Sequence, residues 1–209
     1  MTKRNFLKTE LLKNLESKIK DFGFQLNKTQ AEFINKNKFG WFKFQIVFLK
    51  IDEGWELKPS LLIRCNTIEN IYHEISEFET KYQEGTPTIG SSIEDYLNDN
   101  VSYRYRLTDE NQINSIAQQL YILFITIALP FFDKYNTIEK IDKVLNNNMH
   151  DTSLTGAIFK GAKALITAKL TNRANYQELE NYYLNYYSMF SNGFYMPNYL
   201  NLVKLLKTL

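Results

Sequence analysis

Two runs of alternating apolar residues flank a short polar turn within residues 41–65. The first run places its apolar positions at Phe42, Phe44, Ile46 and Phe48, and the second at Trp55, Leu57, Leu61 and Ile63. Alternation with a period of two is typical of a strand with one buried face, and the acidic–Gly step between the runs is typical of a hairpin. We therefore expect an antiparallel hairpin with Phe44 and Ile63 on the core face.

Helical spacing predicts two amphipathic helices around this hairpin. The first covers about residues 3–22, with apolar positions three or four apart, and Gly23 follows it as a C-cap. The second extends from an N-cap at Thr67 to about Glu84, and its polar face carries Glu69, Glu74, Glu77 and Glu79.

A third predicted helix, residues 108–129, differs because no charged residue occurs from Ile113 to Phe132. A helix that is apolar on nearly every side must be covered by protein, so Leu123 and Ile127 are expected to be buried. Pro130 lacks a backbone N–H and is expected to end or kink the helix.

The remaining pattern completes an α+β fold. Short strands are predicted at residues 30–36 and 101–107, and helices at about 137–145, 153–171, 175–190 and 197–207. We expect a single α+β domain over residues 1–209. Residues 1–135 form an antiparallel sheet of about three to five strands packed on a buried helix, and residues 136–209 form an all-helical C-terminal layer.

Composition narrows the chemistry. The single cysteine, Cys65, excludes an intramolecular disulfide framework and a multi-cysteine zinc site, and its strand parity places it on the core face. Only 8 glycines are present, which argues against a Gly-rich phosphate loop, and no cofactor is predicted. The N-terminus shows no secretory signal, and the apolar run 120–132 is shorter than the roughly 20 residues of a membrane span. These features predict a cytoplasmic protein without a membrane partner.

Charge is distributed unevenly along the chain. Residues 1–66 hold 13 Lys/Arg against 7 Asp/Glu, residues 67–133 hold 3 against 11, and residues 134–209 hold 9 against 5. The acidic middle segment disfavours nucleic acid as a partner and favours a basic protein. An alternative is that its carboxylates pair within the fold, for example with Lys13, Lys18 or Lys20.

Two sets of candidate site residues follow. The first is a partner-binding surface formed by the four carboxylates of the acidic helix with Tyr182 and Tyr186, which lie in a tyrosine-rich helix without Lys or Arg. The second is a metal site: Glu69, His73 and Glu77 are spaced by four residues, which places them on one helical face and would suit a metal-assisted hydrolase. Asp95 lies three residues after Ser92 and is interpreted as its capping partner.

Short motifs add a resemblance over most of the chain. Ile93–Glu94–Asp95–Tyr96, Leu129–Pro130–Phe131–Phe132 and Ala168–Lys169–Leu170–Thr171 resemble a bacterial family catalogued as domain of unknown function forty-three-zero-four. The resemblance implies an α+β bacterial cytosolic protein and supplies no catalytic residues. Size and composition also resemble immunity proteins of bacterial toxin systems. The sequence thus favours a non-enzymatic protein-binding module of the immunity or adaptor type, with the metal-assisted hydrolase as the alternative.

Overall fold

The computed structural model describes residues 2–209 and contains six strands and ten α-helices within that range. The strands are β1 Gln25–Asn27, β2 Glu32–Lys36, β3 Gly40–Ile51, β4 Gly54–Cys65, β5 Ile89–Ser92 and β6 Tyr105–Leu107. The helices are α1 Lys3–Ile19, α2 Asn66–His73, α3 Thr80–Gln83, α4 Ile93–Leu97, α5 Ile113–Leu123, α6 Leu129–Lys134, α7 Ile138–Asn146, α8 Ala157–Leu170, α9 Tyr176–Met189 and α10 Met196–Leu206.

The chain divides into two compact units. The first consists of the residues up to Ile63 together with Gly90–Lys134, and the second of Arg64–Ile89 together with Tyr135–Leu209. The C-terminal part of the second unit thus begins one residue before the predicted start of the helical layer. The acidic segment, which was assigned with the sheet, belongs to this second unit instead.

The first unit is built on an antiparallel sheet, which confirms the predicted α+β class. The sheet has six strands in the order β1-β2-β3-β4-β5, with β6 paired to β4. Phe33 of β2 lies opposite Phe44 of β3, and both side chains are fully buried. Rings from the helical side meet this face, because Phe124 contacts Phe44 with 5.6 Å between ring centroids.

The β3–β4 hairpin has the predicted face. Phe44 and Ile63 are both buried, as is Cys65 at the end of β4. Asp52 and Glu53 form the turn, and Gly54 follows where the strand passes close to the backbone carbonyl of Leu107 in β6. Any Cβ at position 54 would collide with that carbonyl, so glycine is required by the approach of the two strands.

The uncharged helix continues through Pro130 rather than ending there. One π-helical turn, Phe124–Ala128, lies between α5 and α6, and the Leu129 N–H bonds to the carbonyl of Phe124 five residues earlier. A π turn inserted before a proline re-routes the backbone hydrogen bonds that the ring disrupts. Of the two predicted outcomes, an end or a kink at Pro130, the end was therefore wrong.

Burial of this helix is one-sided. Leu123 is buried as predicted and Phe124 is fully buried, but Ile127 is only half-buried and Ile122 is 49% exposed. The expectation of a helix covered on every side was wrong, because α1 and the sheet contact one stripe of it. Within residues 2–209, Glu110–Lys134 is the one helical stretch long and apolar enough to cross a membrane by length and composition. The core helix of a soluble protein satisfies the same criterion.

The second unit is helical, and its C-terminal helices lie close to their predicted positions. The acidic segment does not form the single helix predicted for residues 67–84. Instead, α2 ends at His73, and the one-turn α3 begins at Thr80. Between them the chain turns back so that the Phe78 ring packs edge-on against His73, with 5.8 Å between ring centroids. Packing of Phe78 therefore prevails over the helical periodicity of residues 67–84.

Lys160 on α8 is a buried cation with a testable cost. Its residue is 2% exposed, and burial lowers its pKa from 10.5 to about 8, partly opposed by Asp151. Because the pKa of Lys160 is lower in the folded state, the unfolded chain binds the proton more tightly. Lys160 therefore costs no stability above pH 10.5. The cost grows as the pH falls and is complete below about pH 8. The pKa difference lowers the free energy of unfolding by roughly 3 kcal/mol at pH values below that window.

We therefore expect Lys160→Met to raise the free energy of unfolding at pH 7 and to flatten its rise between pH 8 and 10.5, the window set by the pKa of Lys160. Urea unfolding of both proteins at several pH values provides the measurement. A variant less stable than the wild type at pH 7, with an unchanged pH profile, would show that burial imposes no such cost at this position.

Candidate functional site

Glu69 is the centre of a buried ion cluster in the second unit. Its side chain is fully buried, with Lys163 Nζ 2.8 Å from Oε1 and Arg64 NH1 3.8 Å from Oε2. The prediction that Glu69 projects into solvent as part of a partner surface was wrong. The physical reason is that the face of α2 that carries Glu69 packs against α8, which carries Lys163. The carboxylate therefore pairs with two internal cations, Lys163 and Arg64.

The cluster also fastens the loop that follows α3. Arg64 NH1 donates to the carbonyls of Gln83 and Thr86 at 2.7 and 2.9 Å, and it also donates to the Thr86 hydroxyl. Thr86 Oγ1 in turn donates to Glu69 Oε2 at 2.8 Å, and Lys163 Nζ donates to the carbonyl of Pro87. These bonds tie the segment between α2 and β5 to α8 at both ends.

His73 links this cluster to the chain reversal after α2. Its Nε2 lies 2.8 Å from Thr86 Oγ1 and its Nδ1 2.8 Å from Ser76 Oγ. The one proton of the Thr86 hydroxyl goes to Glu69 or to the carbonyl of Gln83. In both cases His73 donates through Nε2–H and accepts the Ser76 hydroxyl proton at Nδ1. Burial lowers the pKa of His73, with Glu69 opposing and Arg64 assisting, so the imidazole is neutral at pH 7.

The alternative metal site is not assembled. Glu69 and His73 are neighbours, but Glu77 lies outside the cluster, exposed, with the Asn198 amide 3.4 Å from its Oε1. Both nitrogens of His73 already face hydroxyl groups. Within residues 2–209, no group of three His, Cys, Asp or Glu side chains is placed to hold a metal ion.

An aromatic pocket opens next to the chain reversal, entirely within the second unit. Its volume is about 280 Å³, and its walls come from α2, the reversal, α8, α9, α10 and the residue preceding α10. Six aromatic side chains line it: Tyr72, Phe78, Phe159, Tyr187, Tyr195 and Tyr199. Ile75, Ser76, Glu77, Ile158, Ala162 and Asn198 complete the wall. A concave apolar site with a few polar groups is the usual form of a binding pocket.

The tyrosine hydroxyls of the pocket fall into two groups. Tyr187 donates to the carbonyl of Ile158 at 2.8 Å, and Tyr199 donates to the carbonyl of Glu180 at 2.8 Å. The hydroxyls of Tyr72 and Tyr195 have no hydrogen-bond partner among residues 2–209. Burial raises the pKa of Tyr72 to about 12, so its hydroxyl stays protonated at pH 7 and is suited to hydrogen bonding rather than to acting as a base.

Carboxylates and exposed apolar surface alternate in residues 74–79, the segment that forms one wall of the pocket, and Glu77 is the carboxylate that lines it. Glu74, Glu77 and Glu79 are exposed as predicted, and Phe78 between them is 38% exposed. Glu79 pairs with Lys81 at 2.8 Å, but both side chains are largely exposed and such a pair contributes little. We call Glu74, Glu77 and Glu79 the acidic rim.

Tyr182 and Tyr186 are less available than predicted. Both are half-buried, and their hydroxyls contact His150 Nδ1 at 3.0 Å and the carbonyl of Ala157 at 3.1 Å. Tyr186 stacks on Phe190, which approaches the Tyr195 ring of the pocket. Sequence reasoning missed Tyr72 and Tyr195, which come from distant parts of the chain. Ile75 and Phe78 lie within the helix predicted for residues 67–84, so the sequence did not indicate that they line a pocket.

Comparisons with protein-family models, with curated proteins and with solved structures find no significant match for this chain. The family resemblance of the short motifs therefore stays a prediction.

Proposed function

We propose that this protein is a non-enzymatic protein-binding module, of the immunity or adaptor type, that meets a basic partner at the acidic rim and the aromatic pocket beside it. The observation that carries the proposal is the alternation in residues 74–79. Glu74, Glu77 and Glu79 are exposed, while Ile75 and Phe78 line the pocket. One short segment thus presents charge and apolar surface together, which is the composition of a recognition surface rather than of a solvated helix face.

Electrostatics support a basic partner. Glu69 is paired with Lys163 and Arg64, whereas the acidic rim has one cationic partner among residues 2–209, the exposed Lys81. Exposed carboxylates of one sign repel each other, and a basic surface relieves that repulsion and accelerates association at low salt. The buried cluster holds the rim in place, because Ser76 of the reversal bonds to His73 within it.

The test is the association rate of an immobilised oligolysine peptide with the triple variant Glu74→Gln, Glu77→Gln and Glu79→Gln. We expect the rate at low salt to fall by about tenfold relative to the wild type, because steering by the rim is lost. Surface plasmon resonance at two salt concentrations gives the rate and its screening.

The matched control removes the same charge at three other exposed carboxylates, Glu53, Glu139 and Glu178. This control should change the rate much less than the rim variant does. Equal rates for the two triple variants would show that the rim has no special role, and the proposed function would fail.

A further inference from the structure

We infer that the aromatic pocket receives a single uncharged aromatic side chain with a hydrogen-bonding tip, for which tryptophan is the best fit, from a basic segment of the protein partner. This inference rests on the proposed function and specifies how the partner is anchored. Four observations support it: the size of the pocket, the rings that line it, the two hydroxyls without partners, and the placement of buried cations on one side with the acidic rim on the other.

Size limits the occupant. Pockets that hold whole small-molecule ligands have volumes of about 300–1,000 Å³. The present pocket, about 280 Å³, falls just below that range. It has room for one large side chain and not for a nucleotide-sized cofactor. Interface anchors are typically single aromatic side chains that fill such a pocket.

The lining favours an aromatic occupant over an aliphatic one. Tyr72 and Phe159 meet edge to face with 6.1 Å between ring centroids, and Phe78 and Phe159 lie 6.2 Å apart. A further ring entering this set gains edge-to-face contacts that an aliphatic chain does not make.

The two cations next to the pocket indicate that the anchor side chain is uncharged. Lys163 Nζ already lies over the rings of Tyr72 and Phe159, 5.4 and 5.6 Å from their centroids. Lys163 and Arg64 are two cations with one carboxylate, Glu69, between them. A lysine or arginine tip inserted toward them would be repelled, whereas basic residues outside the pocket would meet the acidic rim.

The hydroxyls of Tyr72 and Tyr195 supply the polar contact. Neither hydroxyl has a partner within residues 2–209. Tyr72 is 8% exposed, and its hydroxyl lies at the solvent-accessible surface of the pocket. An indole N–H donates one hydrogen bond, which a phenolic oxygen can accept. A tryptophan anchor covers these hydroxyls and gives one of them a hydrogen bond in place of water, whereas phenylalanine or leucine covers them and leaves them without a partner.

A double-mutant cycle on the indole N–H tests the inference. Calorimetry measures binding of an acetylated peptide with tryptophan flanked on both sides by two lysines, and of the same peptide with benzothienylalanine, an isostere without the N–H. We expect the exchange to weaken binding by about 3- to 10-fold in the wild type, since a neutral hydrogen bond contributes this much. The exchange should have no effect in the double variant Tyr72→Phe and Tyr195→Phe. Tyr103→Phe, in the first unit, is the matched control and should behave as the wild type.

Two further arms separate this inference from the proposed function. A peptide with alanine in place of tryptophan should bind the wild type much more weakly than the tryptophan peptide does. The variant Ala162→Phe fills the pocket, so the tryptophan and alanine peptides should bind it equally. If tryptophan and alanine peptides bind equally while the rim variant weakens both, the rim acts as proposed and the anchoring inference is overturned. An N–H effect that persists in the Tyr→Phe double variant would also overturn it. Failure of the rim variant to weaken either peptide would instead count against the proposed function.

Discussion

Glu69→Gln is expected to lower the free energy of unfolding of the second unit by about 3–5 kcal/mol. The variant leaves Lys163 and Arg64 buried without the carboxylate that now lies 2.8 and 3.8 Å from them, and an unpaired buried charge is among the most destabilising features in a protein. Both tryptophans, Trp41 and Trp55, belong to the first unit, so urea unfolding of the second should be followed by circular dichroism at the helical band.

The matched control for this change is Glu79→Gln, which removes a carboxylate from an exposed pair and should cost less than about 1 kcal/mol. Replacing the whole cluster with Arg64→Met, Glu69→Leu and Lys163→Met should recover much of the lost stability, since apolar groups of similar volume do not require pairing. If Glu69→Gln is no more destabilising than Glu79→Gln, the cluster does not hold the second unit together.

Phe124→Ala should destabilise the first unit by about 3–5 kcal/mol, because it removes a fully buried ring and leaves a cavity. The ring contacts three others, Phe22, Phe24 and Phe44, with 5.5, 5.1 and 5.6 Å between centroids. Tryptophan fluorescence during urea unfolding reports on this unit directly.

Ile122→Ala on the same helix is the comparison. Ile122 is 49% exposed, and a surface substitution of this kind usually changes stability by less than about 0.5 kcal/mol. A similar loss for the two variants would contradict the one-sided burial of the helix.

Local pattern predicted α1, the β3–β4 hairpin, β2 and β6, but it did not predict β1 or β5. The alternation through Phe44 and Ile63 predicted a buried strand face correctly, because apolar residues at every second position on both sides of a short turn are typical of a hairpin with one buried face. The π turn before Pro130 was not foreseeable from local pattern. Proline alone signals a break or a kink without indicating that the helix resumes.

The candidate site was only partly predictable. The exposed positions of Glu74, Glu77 and Glu79 followed from the charge pattern, and periodicity placed Glu69 with them. Its burial depends on Lys163, which is 94 residues away in sequence. The pocket depends on Tyr72 and Tyr195, which no local spacing relates. Long-range pairing of this kind lies outside what periodicity can show.

The most direct test of the binding surface is the mapping of amide chemical shifts while the tryptophan–lysine peptide is titrated into the labelled protein. The proposed function and anchor predict that the largest changes fall on residues 72–79 and on Ala162, Tyr195 and Asn198, with saturation. Changes confined to the first unit, or none up to millimolar peptide, would contradict a binding surface at the acidic rim and pocket.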